Sequence, residues 1–175
     1  MRTPKFLPLF VIVIGWFAIC AHAQTASSRK TAQANEAEVQ QAIERWAKAF
    51  RARDLDGIMS VYAPGDAVIG YDLAPPLQYR GNAAYRKDYA DFLAQYIGPI
   101  ELESRDVRIV AGDDVAFYHA LERMSGTLKS GEKSDMWIRA TSCLRKIHGR
   151  WLIVHDHLSV PADFATGKAV MDLKP

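Results

Sequence analysis

The sequence is short of cysteine. Cys20 and Cys143 are the only two in 175 residues, so the disulfide framework that staples many small secreted folds is excluded. Charge of one sign is lacking too: 22 Lys and Arg stand against 20 Asp and Glu, a formal net charge of +2, and neither sign dominates any stretch. Proteins that bind nucleic acid or anionic membranes normally carry a basic excess or stripe, so neither partner is expected. No internal repeat and no low-complexity segment is present, which excludes arrays and solenoids. Long apolar runs are nearly absent; the one from Phe6 to Cys20 is shorter than the roughly 20 residues of a spanning helix.

What is present fits one globular domain with a sizeable core, 49% of residues being hydrophobic and 24% charged. Residues 1–23 carry Arg2 and Lys5, the apolar run, and then Ala21-His22-Ala23, the pattern of a cleavable secretory signal with cleavage after Ala23. A membrane anchor is the alternative reading. Cleavage leaves 152 residues with 20 cations, 20 anions and a single cysteine, Cys143, exported to the periplasm or secreted. Residues 24–34 are polar and small, as in a flexible lead-in.

From Asn35 the pattern becomes helical, with Val39, Ile43, Trp46, Ala47 and Phe50 on one face. Asn35 is expected to cap this helix, with Glu38 three residues on, and Asp54 a second short one bearing Leu55, Ile58, Met59 and Tyr62. Ala67 to Tyr71 reads as a strand and Ala74-Pro75-Pro76 as a loop. A third helix after Gly81 aligns Tyr85, Tyr89, Phe92, Leu93 and Tyr96. Long strands follow at about 100–111, 115–128, 135–147 and 151–160, separated by Gly-containing turns, and residues 162–175 form a tail. Helices followed by an antiparallel meander predict an α+β fold, with the helices over one face of a curved sheet and a binding cavity between the layers.

Strand parity assigns the side chains facing that cavity. In the last strand Leu152, Val154, Asp156, Leu158 and Val160 share one face, and Trp151, Ile153, His155, His157 and Ser159 the other. Ile138, Ala140, Ser142 and Leu144 form the matching face of the preceding strand. Before it, Ala116, Tyr118, Ala120, Glu122 and Met124 group together, although the face of Val115, Phe117 and Leu121 is equally apolar. A carboxylate on an apolar concave face is costly to ionise unless paired, so Asp156, and less strongly Glu122, are candidates for acid or base work. An ion pair or tyrosine bond that only fixes the core would explain Asp156 as well. His155 and His157 have a spacing that two zinc ligands could use, but no third ligand accompanies them, and no metal is expected. Cys143 reads as an inert small hydrophobe on the outer face.

Three stretches, Arg53-Asp54-Leu55-Asp56-Gly57-Ile58, Tyr71 through Gly81, and Trp151 through Pro161, resemble the SnoaL-like, ketosteroid-isomerase-like branch of the nuclear transport factor 2 superfamily. The resemblance covers residues 35–161. It implies a cone-shaped α+β barrel with a pocket at one end, and commonly a homodimer through the outer sheet face. Steroid isomerases of this fold use an aspartate base with a tyrosine and a protonated aspartate as oxyanion donors. Counted from Gly81 the base position falls on Asp72; the two donor positions fall on Trp46 and Ser142. An indole N–H and a hydroxyl still donate hydrogen bonds, but they do not reproduce an acidic donor, and Asp156 adds a second carboxylate, so a different substrate is implied.

The expected function is therefore cofactor-independent proton transfer, of isomerase, cyclase or dehydratase type, on a small carbonyl compound. Asp72 and Asp156 are the candidate catalytic residues, and Trp46, Tyr62, Tyr85, Tyr89, Tyr118, Glu122, Ser142 and Leu158 the candidate substrate-binding residues. The alternative is a dimeric module that binds a small amphipathic or apolar molecule without converting it, in which Asp72 is only a turn residue.

Overall fold

The computed structural model describes residues 13–175, with side chains from residue 28 onward. The signal read at residues 1–23 falls on the undescribed residues and on a stretch described by backbone alone.

Three helices, α1 (Val13–Ala52), α2 (Leu55–Met59) and α3 (Asn82–Leu93), cover one face of a six-stranded sheet. Its strands are β1 (Ile69–Tyr71), β2 (Tyr79–Arg80), β3 (Tyr96–Ala111), β4 (Val115–Leu128), β5 (Lys133–Ile147) and β6 (Arg150–Ser159), in the order β2-β1-β6-β5-β4-β3. β1 runs parallel to β6, and every other pairing in this sheet is antiparallel. The tail adds a small hairpin, β7 (Ala162–Asp163) with β8 (Lys168–Ala169), that the sequence pattern does not signal.

The first helix starts well before Asn35, so residues 24–34 are helical and Asn35 is not a cap. Buried at 5% exposure, Asn35 instead donates its side-chain amide to the Gly112 carbonyl at 2.7 Å and accepts from Lys146 Nζ at 3.1 Å. Val39, Ala42 and Phe50 continue that face into the core. Arg53 takes a left-handed φ of 55°, which stops α1. Asp54 then caps α2 as expected, accepting from Gly57 N at 3.0 Å. Gly57 leaves room for this turn, since a Cβ there would stand 2.4 Å from Asp54 Oδ2 and 2.8 Å from Ala49 Cβ. Residues 65–67 form a single 3₁₀ turn, so β1 begins at Ile69 and not at Ala67.

Two further readings are corrected by the sheet. Tyr96 lies on β3 and not on α3, because the helix ends at Leu93; its hydroxyl donates to Ser134 Oγ at 3.1 Å. In β6, Leu144 faces Ile153 while Cys143 faces His155, so Val154 is an extra residue and the parity switches there. The switch turns Trp151 and Ile153 toward the helices, where Trp151 Nε1 donates to Glu38 Oε2 of α1 at 3.0 Å. Beyond the bulge the expected parity returns and Asp156 points inward, buried at 4% exposure. The bulge sits where β6 changes neighbours. Ile153 bonds Val61 and Ala63 through the backbone, and from His155 onward the neighbour is β1. On β4 the inward face is Ala116, Tyr118, Ala120, Glu122 and Met124, all buried.

Candidate functional site

The backbone bridge between Tyr62 and Ile153 fixes Tyr62 under the start of β6, and α3 sends Tyr85 and Tyr89, one turn apart, toward the same point. The three rings pack with centroids 5.1 to 5.8 Å apart. Gly70 of β1 pairs with Asp156 of β6, and its missing side chain leaves space for the Tyr85 ring.

These rings carry a directed chain of hydrogen bonds. Trp46 Nε1 of α1 lies 3.2 Å from the Tyr89 hydroxyl, and Tyr89 lies 2.7 Å from that of Tyr62. Tyr62 in turn bonds Asp156 Oδ2. An indole N–H only donates, so Tyr89 accepts from Trp46 and passes its own proton to Tyr62, whose proton goes to Asp156. Burial pushes the hydroxyls of Tyr62, Tyr85 and Tyr89 well above the usual phenol range, so all three stay protonated as donors. Burial likewise raises the Asp156 carboxyl; the Ser142 and Tyr62 hydroxyls favour its charged form but do not offset that. Its Oδ1 has no partner in hydrogen-bonding geometry.

Asp72 follows the last residue of β1. Its Oδ1 accepts from Leu73 N at 2.6 Å, the turn contact anticipated for it, and its Oδ2 accepts from the Tyr85 hydroxyl at 3.4 Å. Burial raises its pKa, against the donors Leu73 and Tyr85, and the nearby charge of Asp156 raises it further. Unlike Asp156, it borders open space: a depression of about 470 Å³ lined by Tyr71, Asp72, Leu77, Gln78, His157 and Leu158. This hollow lies at the rim of the sheet, where β1 ends, whereas the sequence placed the cavity between the layers. Asp156 does not line it.

Tyr118, Glu122 and Ser142 form a second buried group. Ser142 is in register with Tyr118 on one side and Asp156 on the other. Tyr118 donates to Glu122 Oε1 at 2.8 Å, and burial pushes the Glu122 carboxyl up to about 7, against the Tyr118 hydroxyl and the Arg51 charge. The candidates thus divide. Trp46, Tyr62, Tyr85, Tyr89 and Asp156 are one connected network, which Tyr85 joins to Asp72. Tyr118, Glu122 and Ser142 adjoin it, and Leu158 meets Asp72 at the hollow.

Sequence reasoning missed Asp88, Tyr79 and Gln78. Asp88 sits three residues after Tyr85 on α3, and burial, with the negative charge of Asp72 adding to it, pushes its carboxyl up to about 6. Helical spacing from Tyr85 is the signal that could have found it. Tyr79 packs on Tyr85 with centroids 5.8 Å apart and donates to the Pro75 carbonyl at 2.9 Å. His155, on the outer face as expected, donates from Nδ1 to the Ile69 carbonyl at 2.8 Å.

The model of the SnoaL-like domain family matches residues 39–163. Among solved structures, the chain is similar to an NTF2-like protein of unknown function from Pseudomonas putida KT2440. The two are 36% identical with a TM-score of 0.74, over 82% of this chain and 98% of that one. An NTF2-like superfamily protein from Salmonella enterica is 17% identical at a TM-score of 0.68, over 79% and 99% of the two chains. A ketosteroid isomerase-like protein from Erwinia carotovora atroseptica is 19% identical at 0.62, over 71% and 95%. The last two bear on fold alone. No curated protein gives a significant match.

Proposed function

The chain belongs to the SnoaL-like family, and from that premise we propose that it catalyses cofactor-independent proton transfer on a small carbonyl compound with an acidic α C–H. The reaction is of isomerase, cyclase or dehydratase type. Asp72 is the base. One observation carries this reading: Asp72 alone among the buried-site carboxylates borders an open hollow, and its environment makes it a stronger base than a free aspartate.

The hollow suits a small, largely apolar molecule. Leu77, Leu158 and Tyr71 supply apolar and aromatic contact, and its lining includes no Lys or Arg, so an anionic substrate would find no counter-charge. Asp72 takes the α-proton, and the charge passing to the carbonyl oxygen is met by N–H donors from Gln78 or His157 at the same hollow. Asp156 acts from behind. Held by Tyr62 and out of reach of the hollow, it raises the basicity of Asp72 through its charge and orients the tyrosine layer.

The protein acts after export, in this reading, as a homodimer through the outer sheet face, where Val110, Val115 and Phe117 are exposed. Sedimentation at micromolar concentration tests the dimer, and a monomer overturns it.

The test of the activity is Asp72→Asn assayed against a panel of small ketones and enones by α-proton exchange in deuterated water. A general base contributes about 10²- to 10⁴-fold, so exchange is expected to fall at least about 100-fold. Exchange equal in the two proteins, or absent from the unaltered one, overturns the reading in favour of a binding module.

A further inference from the structure

We propose that a second hollow, at the opposite end of β6 from Asp72, binds a small organic carboxylate with an apolar body, its charge held by Arg150 and His148. The inference does not depend on the role of Asp72.

This hollow measures about 400 Å³ and opens between the end of α2, the start of α3 and the turn joining β5 to β6, a volume within the range of small-ligand sites. Arg150 and Leu152, at the start of β6, line it, whereas His157 and Leu158, near the end of the same strand, line the hollow of Asp72. Its floor is apolar, since Met59, Tyr62 and Leu152 line it and are buried. Its rim carries the N–H donors of Arg150 and His148, both exposed, and its lining includes no Asp or Glu. The two hollows therefore differ in character: the one at Asp72 offers a carboxylate and no Lys or Arg, and this one offers a guanidinium and no carboxylate.

Arg150 is held in place without being neutralised. One guanidinium N–H donates to the Ser60 carbonyl at 3.2 Å, and among the described residues no carboxylate pairs with it. The rest of its N–H fork is left to a ligand. Two acidic residues near the lining segments are engaged elsewhere. Asp56 pairs with Arg86, and Asp66 stands against Gly81, its Oδ1 3.1 Å from where a Cβ on that glycine would be. The other polar groups of the lining are satisfied by the chain: the Ser60 hydroxyl donates to the Gly57 carbonyl at 2.7 Å, and the Asn82 amide to the Ala63 carbonyl at 3.0 Å.

His148 supplies an independent observation. Ile147 and Arg150 are paired across the hairpin, so His148 and Gly149 form a two-residue turn, with φ of 48° and 76°. Such a turn favours Asn, Asp or Gly at its first position, and a histidine at positive φ is uncommon. The backbone thus holds an imidazole at the rim where turn preference alone selects another residue, which is the kind of strain that accompanies function. A guanidinium fork and an imidazole suit the oxygens of a carboxylate, and the apolar floor takes the body of the molecule.

The test is a titration of the unaltered protein with benzoate, followed through amide shifts in ¹H–¹⁵N NMR. Saturable shifts are expected at Gly65, His148, Gly149 and Arg150, with a dissociation constant in the millimolar range or tighter for a ligand of this size. Benzamide has the shape without the charge, and inorganic phosphate the charge without the ring; each is expected to bind at least about tenfold more weakly. Arg150→Gln is expected to weaken benzoate by at least about tenfold. His148→Gly is expected to weaken it by about threefold or more with no loss of Tm, because glycine adopts the positive φ freely. Shifts that do not saturate, shifts confined to Tyr71, Asp72 and His157, benzamide or phosphate equal to benzoate, or an affinity unaltered in either variant each overturns the proposal.

Discussion

Gly70 lies directly against the ring of Tyr85: a Cβ on Gly70 would stand 2.8 Å from Cε2 and 2.9 Å from Cζ. Because Gly70 pairs with Asp156 across β1 and β6, this contact sets how deep the Tyr85 hydroxyl reaches between the two aspartates. Gly70→Ala is therefore expected to force the ring away, at an overpacking cost of about 1–3 kcal/mol. For a domain of this size each kcal/mol lowers Tm by roughly 2–4 °C. Thermal melting checks the cost, and the Asp72 titration checks the geometry: with the Tyr85 donor withdrawn, the Asp72 pKa rises further. An unchanged Tm with an unchanged titration would show that the ring is not held by Gly70.

Glu122 gives the protein a stability that depends on pH. Its carboxyl is buried at 3% exposure and pushed from 4.5 to about 7. Between these values the unfolded chain has lost the proton while the folded protein keeps it, so stability falls as pH rises. The loss is complete above the folded pKa and amounts to something on the order of 3 kcal/mol at 1.36 kcal/mol per unit. Glu122→Gln still accepts from Tyr118 but does not ionise, so its urea midpoint is expected to overtake that of the unaltered protein between pH 5 and pH 8. Parallel pH profiles for the two proteins would exclude Glu122 as the source.

Much of this architecture was legible because periodicity and packing agree. The turns Gly112-Asp113-Asp114, Lys129-Ser130-Gly131 and His148-Gly149 bound the long strands within a few residues of where they are found, and parity placed Ser142, Asp156 and Glu122 on the concave face. It failed at Trp151 to Val154 for a definite reason. Four apolar residues in a row carry no alternation, and the bulge at Val154 is dictated by a change of neighbouring strand that no local pattern reports. Asn35 misled in a similar way: its side chain answers a carbonyl 77 residues away, while short-range capping logic reads it as a helix start. Asp72 emerged from the resemblance and Asp156 from parity. Asp88 has neither signal, since a half-buried aspartate on a mixed helix face looks in the sequence like a solvated one.

The long-range bond of Asn35 makes a direct prediction. Asn35→Ala leaves the Gly112 carbonyl without its partner at the end of the sheet far from Asp72, while Lys146 Nζ loses one acceptor and keeps Glu38 at 2.7 Å. Losing a buried partner costs about 1–3 kcal/mol. Lower stability in urea with carboxyl titrations of Asp72 and Asp156 unmoved is the expected result. Titrations that shift with it would mean that the two ends of the fold are coupled.

Tyr62→Phe probes the buried network itself. Phenylalanine keeps the ring packing against Tyr85 and Tyr89 but removes the donor to Asp156, whose Oδ1 already lacks a partner. Both carboxyl oxygens then depend on Ser142 and the Tyr85 side, so the ionised form loses support and the Asp156 pKa rises further. The protonated form is affected less, because a neutral carboxyl needs fewer donors. Destabilisation of about 1–3 kcal/mol is therefore expected where Asp156 is ionised, with a smaller loss at acidic pH. Urea melts of the two proteins from pH 4 to pH 9 measure that difference. A loss that does not depend on pH would mean that Asp156 remains protonated throughout, and that Tyr62 contributes a neutral hydrogen bond and no control over its charge.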